Sequence, residues 1–402
     1  MNEHKSVPNI RFKGFEDKWK KEKLGNIATV EMNKRIYKDQ TSEDGEIPFY
    51  KIGTFGKKAD SFISKKLFDE YKKRYSYPKV GDILISASGT IGNTIIYKGE
   101  DAYFQDSNIV WLNVNHKIIL NSFLYNFYKI VHWKGLEGST IKRLYNSNIL
   151  STSINYPSIT EQQKIGDFFA ELDKLLDLQQ QKINKFDLLK KSLLQKLFPK
   201  HDAKIPELRF KGYEENWRDK KTLELVSERD SKIIPNDDYP LKAFVAKKGI
   251  SEKGEKYNRS FLVKSRQKKY KKTEYGDLIY SSNNLEVGSI GINRYGNACI
   301  SPVYSIFKVN NSLIYDFLGY LIQRKEFIFN MIKYRQGVTY GQWKIHESDF
   351  LNIQVLVPET LDEKQKIGNL LSKVDQLIEL ENKKLHKLQQ VKKCLLQNMF
   401  VE

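Results

Sequence analysis

The chain is written twice, and a chain written twice must fold into two similar bodies or one symmetric one. Residues 8–19 read PNIRFKGFEDKW and residues 206–217 read PELRFKGYEENW, identical at seven of twelve positions. Further matches follow in the same order. GDIL at 81–84 is answered by GDLI at 276–279, and SGTIG at 88–92 by VGSIG at 287–291. The glycine of LEGSTIK, Gly138, is answered by Gly337 in YRQGVTY. EQQKIGDFF at 161–169 meets EKQKIGNLL at 363–371, and LLQKLF at 193–198 meets LLQNMF at 395–400. The offset drifts between 195 and 202, so the copies differ by small loop insertions.

Each copy has two parts. The first, residues 1–158 and again 200–358, mixes strand-like runs such as GDILISAS and NIVWLNV with helix-like runs such as SFLYNFYKIV and LIYDFLGYLIQRKEFIFNMIKY. Short β-former-rich runs bounded by Gly and Asp read as strands, and longer 3–4-spaced runs as helices, which gives an α+β domain. The second part, 159–199 and again 359–402, reads as one long helix. Ile165, Phe168, Leu172, Leu175, Gln179, Lys182, Phe186, Leu189 and Leu193 step by three and four, as do Ile367, Leu370, Val374, Leu377, Glu381, Lys384, Leu388, Val391 and Leu395. Such a seam, with a polar interruption at the same place in both copies, predicts a coiled coil. Two copies in one chain predict that the partner is intramolecular, and a pseudo-twofold duplication makes the pair antiparallel. Each rod would be roughly 50 Å long at 1.5 Å per residue. The expected architecture is two similar globular domains separated by paired helices.

Of the formal charge of +19, the stretches 159–198 and 360–402 carry only +1 and +2, so the globular parts are basic. Residues 242–272 hold twelve Lys/Arg against Glu252 and Glu255, and residues 51–74 hold eight against Asp60, Asp69 and Glu70. Interleaved with Tyr and Phe, these runs suit a polyanionic partner, nucleic acid before membrane. No run approaches the ~20 apolar residues of a membrane span. The first residues lack the apolar stretch of a signal peptide, and Cys299 and Cys394 are too few for a disulfide framework or a zinc cluster. A reducing cytoplasm is the expected location, with no membrane partner and no cofactor or metal held by this chain.

Catalytic signatures are missing. There is no GxxxxGK loop, no HExxH and no GxSxG elbow, and the six histidines are scattered. The Asn-Pro-Pro-aromatic motif of amino-methyltransferases is also missing. GDILISASGTIG, the Gly138 segment and the EQQKIGDFF…LLQKLF helix together resemble the specificity subunit of Type I restriction–modification systems, over the whole chain. In that family each half carries a target recognition domain followed by a spacer helix. The resemblance implies a subunit without catalysis of its own that reads a bipartite site on double-stranded DNA. It implies docking to two modification (methyltransferase) subunits, which bind S-adenosylmethionine, and to restriction subunits, nucleases that use ATP and Mg. The alternative of a different class is a self-sufficient DNA-modifying or DNA-cleaving enzyme with an unrecognised active site.

Base reading in the major groove needs planar donors and acceptors: Arg or Lys for guanine, Asn or Gln for adenine. In the first domain the candidates are Lys34, Arg35, Lys57, Lys58, Ser88, Thr90, Ser139, Thr140, Lys142 and Arg143. In the second they are Lys247, Lys248, Asn283, Asn284, Thr339, Tyr340, Gln342 and Lys344. The lysines are expected mostly on phosphate, with Arg143, Asn283, Asn284 and Gln342 reading bases. Trp19 and Trp217 are expected to lock the segments that carry them.

Overall fold

A computed structural model describes residues 7–133, 142–200, 203–252, 268–338 and 342–401. The chain divides into two compact units, residues 1–180 with 383–402 and residues 181–382. Ser139, Thr140, Thr339 and Tyr340 lie outside the described residues.

The first unit is built on a four-stranded antiparallel sheet in the spatial order Ala28–Glu31, Ile109–Val114, Ile83–Ser86, Thr94–Ile96. Every residue of ILIS at 83–86 is buried, because one face of the strand meets Leu112 and Phe123 and the other meets Phe104 and Trp111. The second unit repeats the arrangement with Val226–Glu228, Ser305–Val309, Leu278–Tyr280 and Ile290–Ile292. A two-stranded pair closes each domain against its long helix, Lys20–Lys23 on Ser153–Tyr156 and Arg218–Lys221 on Gln354–Val357. The outer layers differ. In the first unit Ile47–Tyr50 pairs antiparallel with Phe62–Ile63 and parallel with Tyr103–Phe104. In the second, Tyr270–Thr273 is antiparallel to both Lys232–Ile233 and Ala298–Ile300, and a hairpin of Ala243–Val245 and Gly249–Ser251 is added.

The long helices run Ile159–Lys196 and Leu361–Met399. Each unit contains a part of both. In the second unit Lys182 pairs with Glu381 at 3.1 Å and Lys190 with Asp375 at 2.6 Å, so the partner number falls as the first rises and the helices are antiparallel. In the first unit Asp173 meets Lys392, and Lys129 stands 3.1 Å from Asp173. Burial takes the charges of this cluster partly out of water: it pulls the Lys392 ammonium below its usual value, and the Asp173 carboxyl lies below its own, burial opposing the shift and the two lysines driving it.

The seam differs from the sequence expectation at every second position. Phe168, Leu175, Lys182 and Leu189 are exposed, and the inward residues are Phe169, Leu176, Ile183 and Lys190. In the second helix Leu371, Ile378 and Lys392 face inward where Leu370, Leu377 and Val391 were expected. The physical reason is the doublets Phe168-Phe169, Leu175-Leu176, Leu370-Leu371 and Leu377-Ile378, which satisfy a 3–4 repeat and a 4–3 repeat equally well.

Each domain closes over a helix end supplied from the other copy of the repeat. Phe400 stacks on Phe123 at 4.9 Å with Trp19 edge-on to both. Phe198 stacks on Phe317 at 5.7 Å with Trp217 edge-on to both. Burying one such ring stabilises the unit by roughly 1.5–3 kcal/mol. The repeated glycine of QKIG marks the tightest approach of helix to domain. A Cβ on Gly166 would sit 2.4 Å from Ser122 Oγ, and one on Gly368 would sit 2.6 Å from the Phe317 backbone nitrogen.

Candidate nucleic-acid interface

In the first unit the turn Asp106-Ser107 gathers residues distant in sequence. Ser107 adopts a left-handed backbone (φ 58°), which turns the chain sharply before the Ile109–Val114 strand. The Arg35 guanidinium bonds Asp106 Oδ2 at 2.9 Å, and Arg143 Nη2 donates to the Ser107 carbonyl at 2.8 Å. Arg143 also lies alongside Tyr145, 5.9 Å from the ring centre, and bridges to Ser88 through the backbone. Ser88 itself is 8% exposed and donates to Asn108 Oδ1 at 2.7 Å. A buried hydroxyl already engaged is a poor base reader, so Ser88 braces the loop that carries Thr90. Gly89 of this loop faces Ile52, 3.4 Å from where its Cβ would be, and Thr90, Lys57 and Lys58 are exposed. A cavity of about 430 Å³ opens between Met32, Ser107 and the 143–147 segment. Lys34 stands over the Tyr75 ring at 5.2 Å, and Lys142 is exposed.

The second unit builds the equivalent place with different chemistry. Asn283 follows the Leu278–Tyr280 strand, and its Oδ1 accepts from the Trp343 backbone N–H at 2.7 Å. Ser282 Oγ accepts from the Ile345 N–H at 3.0 Å, and its carbonyl accepts from Arg335 Nε at 2.8 Å. Asn283 thereby clamps the segment that carries Gln342 and Lys344, both exposed. Asn284 is exposed on the same loop. The Lys247 N–H donates to the Gly288 carbonyl at 2.9 Å, which ties the exposed Lys247 and Lys248 to the loop as well. Lys247 has φ 64°, and its side-chain stem fills the space a Cβ on Gly288 would need, so Gly288 serves close packing. The groove beside Asn283, Gln342 and Lys344 encloses about 380 Å³. Its walls carry both signs: Lys271 lies 3.2 Å from Asp230 and 4.0 Å from Glu347.

Pairing thins out the basic runs. Lys65 and Lys72 share Asp101 at 3.1 and 3.2 Å, Lys51 meets Asp60 at 2.8 Å and Arg74 meets Glu70 at 2.8 Å. Glu252 and then Tyr295 hold the Lys242 ammonium above its ordinary value, as Glu274 and Tyr239 do for Lys272. Among the described residues no carboxylate pairs with Lys57, Lys58, Lys247 or Lys248, nor with Lys66, Lys73, Lys268 or Lys269 of the same runs. Sequence reasoning overlooked the Asp106-Ser107 turn, Arg335 and Gln336. Only the neighbouring YRQG glycine hinted at the last two.

A family model described as "Type I restriction modification DNA specificity domain" matches residues 16–187 and 214–390. A putative type I restriction enzyme specificity subunit of Haemophilus influenzae is 56% identical over 152 residues, 38% of this chain and 40% of that protein. The alignment thus spans less than half of that relative. The putative MjaX specificity subunit of Methanocaldococcus jannaschii is 23% identical over 98% of this chain and 91% of its own length. Among solved structures, the type I restriction–modification S subunit from M. genitalium superposes with a TM-score of 0.60 at 15% identity, covering 98% of this chain and 99% of that one. A chain from a study of type I complex assembly and conformational transition superposes at 0.52 with 14% identity, covering 95% and 97%. These two likenesses are of fold.

Proposed function

The chain belongs to the type I restriction–modification DNA specificity family, and on that premise we propose that it reads a bipartite DNA target and carries no catalysis of its own. The observation that carries the reading is the duplication of one loop arrangement with different chemistry. In one unit Ser88 bridges to Arg143 through the backbone, and in the other Asn283 holds the Trp343 backbone beside Lys344. Two unlike surfaces on one scaffold suit two unlike half-sites.

The same duplication supports docking of two modification subunits. The off-seam apolar residues form two equivalent sets, Leu175, Leu178 and Val391 in one unit and Leu377, Leu380 and Leu189 in the other. Each is 40–52% exposed. Exposed leucines in rows on a helix mark an interaction surface. In this reading S-adenosylmethionine, ATP and Mg belong to the partner subunits, the restriction subunits join the same complex, and the assembly works in the cytoplasm. No helix among the described residues is long and apolar enough to cross a membrane.

The test is a map of methylated adenines across the host genome with and without this chain. The expected result is one bipartite motif that disappears with it. An unchanged methylation map, or methylation or cleavage by the purified chain alone, refutes the proposal.

A further inference from the structure

The strands Gln336–Val338 and Gln342–Lys344 form a two-stranded antiparallel ribbon in which all six residues are exposed. A lone two-stranded ribbon is at best marginally stable in water. Among the described residues this one is held at its roots. Asn283 clamps the Trp343 backbone, Ile345 is fully buried, and Arg335 is anchored by Glu286 and the Ser282 carbonyl, each at 2.8 Å.

Its register assigns its faces. Gln336 pairs with Lys344, Gly337 with Trp343 and Val338 with Gln342. Side chains alternate along a strand, so Gln336, Val338, Gln342 and Lys344 share one face, and Gly337 and Trp343 share the other. Trp343 is 48% exposed with the Arg335 guanidinium 5.9 Å from its ring, which stiffens the back of the ribbon. The front face has two planar amides, a branched aliphatic and one ammonium, that of Lys344, which stands 3.9 Å from Glu347. Among the described residues neither glutamine amide has a hydrogen-bond partner. A surface made for phosphate alone would be lysine and arginine. Paired amides instead match adenine N6 and N7, a branched methyl matches the thymine methyl, and lysine matches guanine O6 and N7. The major groove, about 12 Å wide, admits a two-stranded ribbon.

We propose that this ribbon enters the major groove of the second half-site with Gln336, Val338, Gln342 and Lys344 against the base edges, the glutamines reading adenine. This rests on the DNA-recognition reading above. Asn283 then acts as a positioning residue that fixes the angle of the ribbon.

The test uses the full complex in cells, with methylome sequencing of wild type, Gln336→Ala, Gln342→Ala and Gln342→Glu. Discrimination at one A·T pair of one half-site is expected to fall roughly 5- to 150-fold in each alanine variant, with the other half-site unchanged. Gln342→Glu is expected to shift the preference there toward cytosine, whose N4 amine a carboxylate accepts. Because the ribbon is exposed on both faces, the variants should keep the wild-type melting temperature, and a large drop would show a packing role and overturn the proposal. Unchanged base preferences overturn it while leaving the DNA-recognition reading intact. Weakened methylation with no change of preference, the signature of a phosphate clamp, also overturns it. A wild-type complex with no bipartite motif sinks the recognition reading and this one with it.

Discussion

Removing the carboxylate of Glu363 should cost the second unit more than any surface ion pair can account for. Glu363 lies in the first turn of the second long helix, and its side chain is 1% exposed. Both its oxygens are used: Arg209 Nε and Nη2 donate at 2.8 and 2.9 Å, and the Trp217 indole N–H donates at 3.3 Å. Arg209 is itself 11% exposed and comes from the repeated RFKG motif. Glu363→Ala leaves a guanidinium and an indole N–H inside the protein without an acceptor. Breaking a buried pair in this way costs about 3–5 kcal/mol. For a unit of this size each kcal/mol moves the midpoint by roughly 2–4 °C, so thermal unfolding should shift down by roughly 6–20 °C. The first copy supplies an internal control. Arg11 donates twice to Glu161 at 2.8 Å, but the Trp19 indole N–H is buried without a partner. Glu161→Ala should therefore cost less than Glu363→Ala by about one hydrogen bond, ~1 kcal/mol. Calorimetry or urea unfolding of the full chain and both variants measures this. A loss under about 1 kcal/mol for Glu363→Ala, the range of an exposed pair, would refute the argument.

Three further outcomes follow from the same structure. Gly368→Ala gains about 1 kcal/mol of helix propensity yet places a Cβ 2.6 Å from the Phe317 backbone nitrogen, so the net change should be a loss of roughly 1–3 kcal/mol in urea unfolding. Lys57→Ala and Lys58→Ala should each reduce the slope of log affinity against log salt by about 1, without changing which sequence is preferred, in DNA-binding titrations of the complex. Inserting four residues between Leu176 and Lys190 adds about one helical turn, ~5–6 Å, and keeps the seam nearly in phase. The methylome should then show the same half-sites with a gap longer by one or two base pairs, at ~3.4 Å each; an unchanged gap in an active variant removes the helices as the measure.

The duplication, the two long helices and their antiparallel pairing were legible because repeats and heptads are local patterns. The phase of the seam was not. Leu175-Leu176 and Leu377-Ile378 offer two apolar neighbours for one inward position, and only the packed partner decides between them. The electrostatics were half legible for a different reason. The runs at 51–74 and 242–272 are basic as written, yet Lys65 and Lys72 share Asp101 and Lys271 meets Asp230, acids that lie outside those runs in sequence. Net charge survives folding, but part of each run is spent on such pairs, while exposed lysines such as Lys57, Lys58, Lys247 and Lys248 have no carboxylate partner among the described residues.

Where the repeat decays is the informative part of the chain. Both units keep the same inner sheet, the same closing strand pair and the same arginine–glutamate lock, because each of these holds a domain to its helices. The outer layer answers to no such demand. It is part parallel in one unit, wholly antiparallel in the other, and gains a hairpin whose tip reaches Gly288. The residues at the loop junction change in step. One unit has a serine committed to Asn108 and an arginine held by Ser107, and the other has an asparagine that grips a ribbon and a lysine on that ribbon's exposed face. A scaffold that is constant where it meets the helices and variable where it meets solvent can acquire a new half-site without disturbing its own assembly, since the two demands fall on different layers.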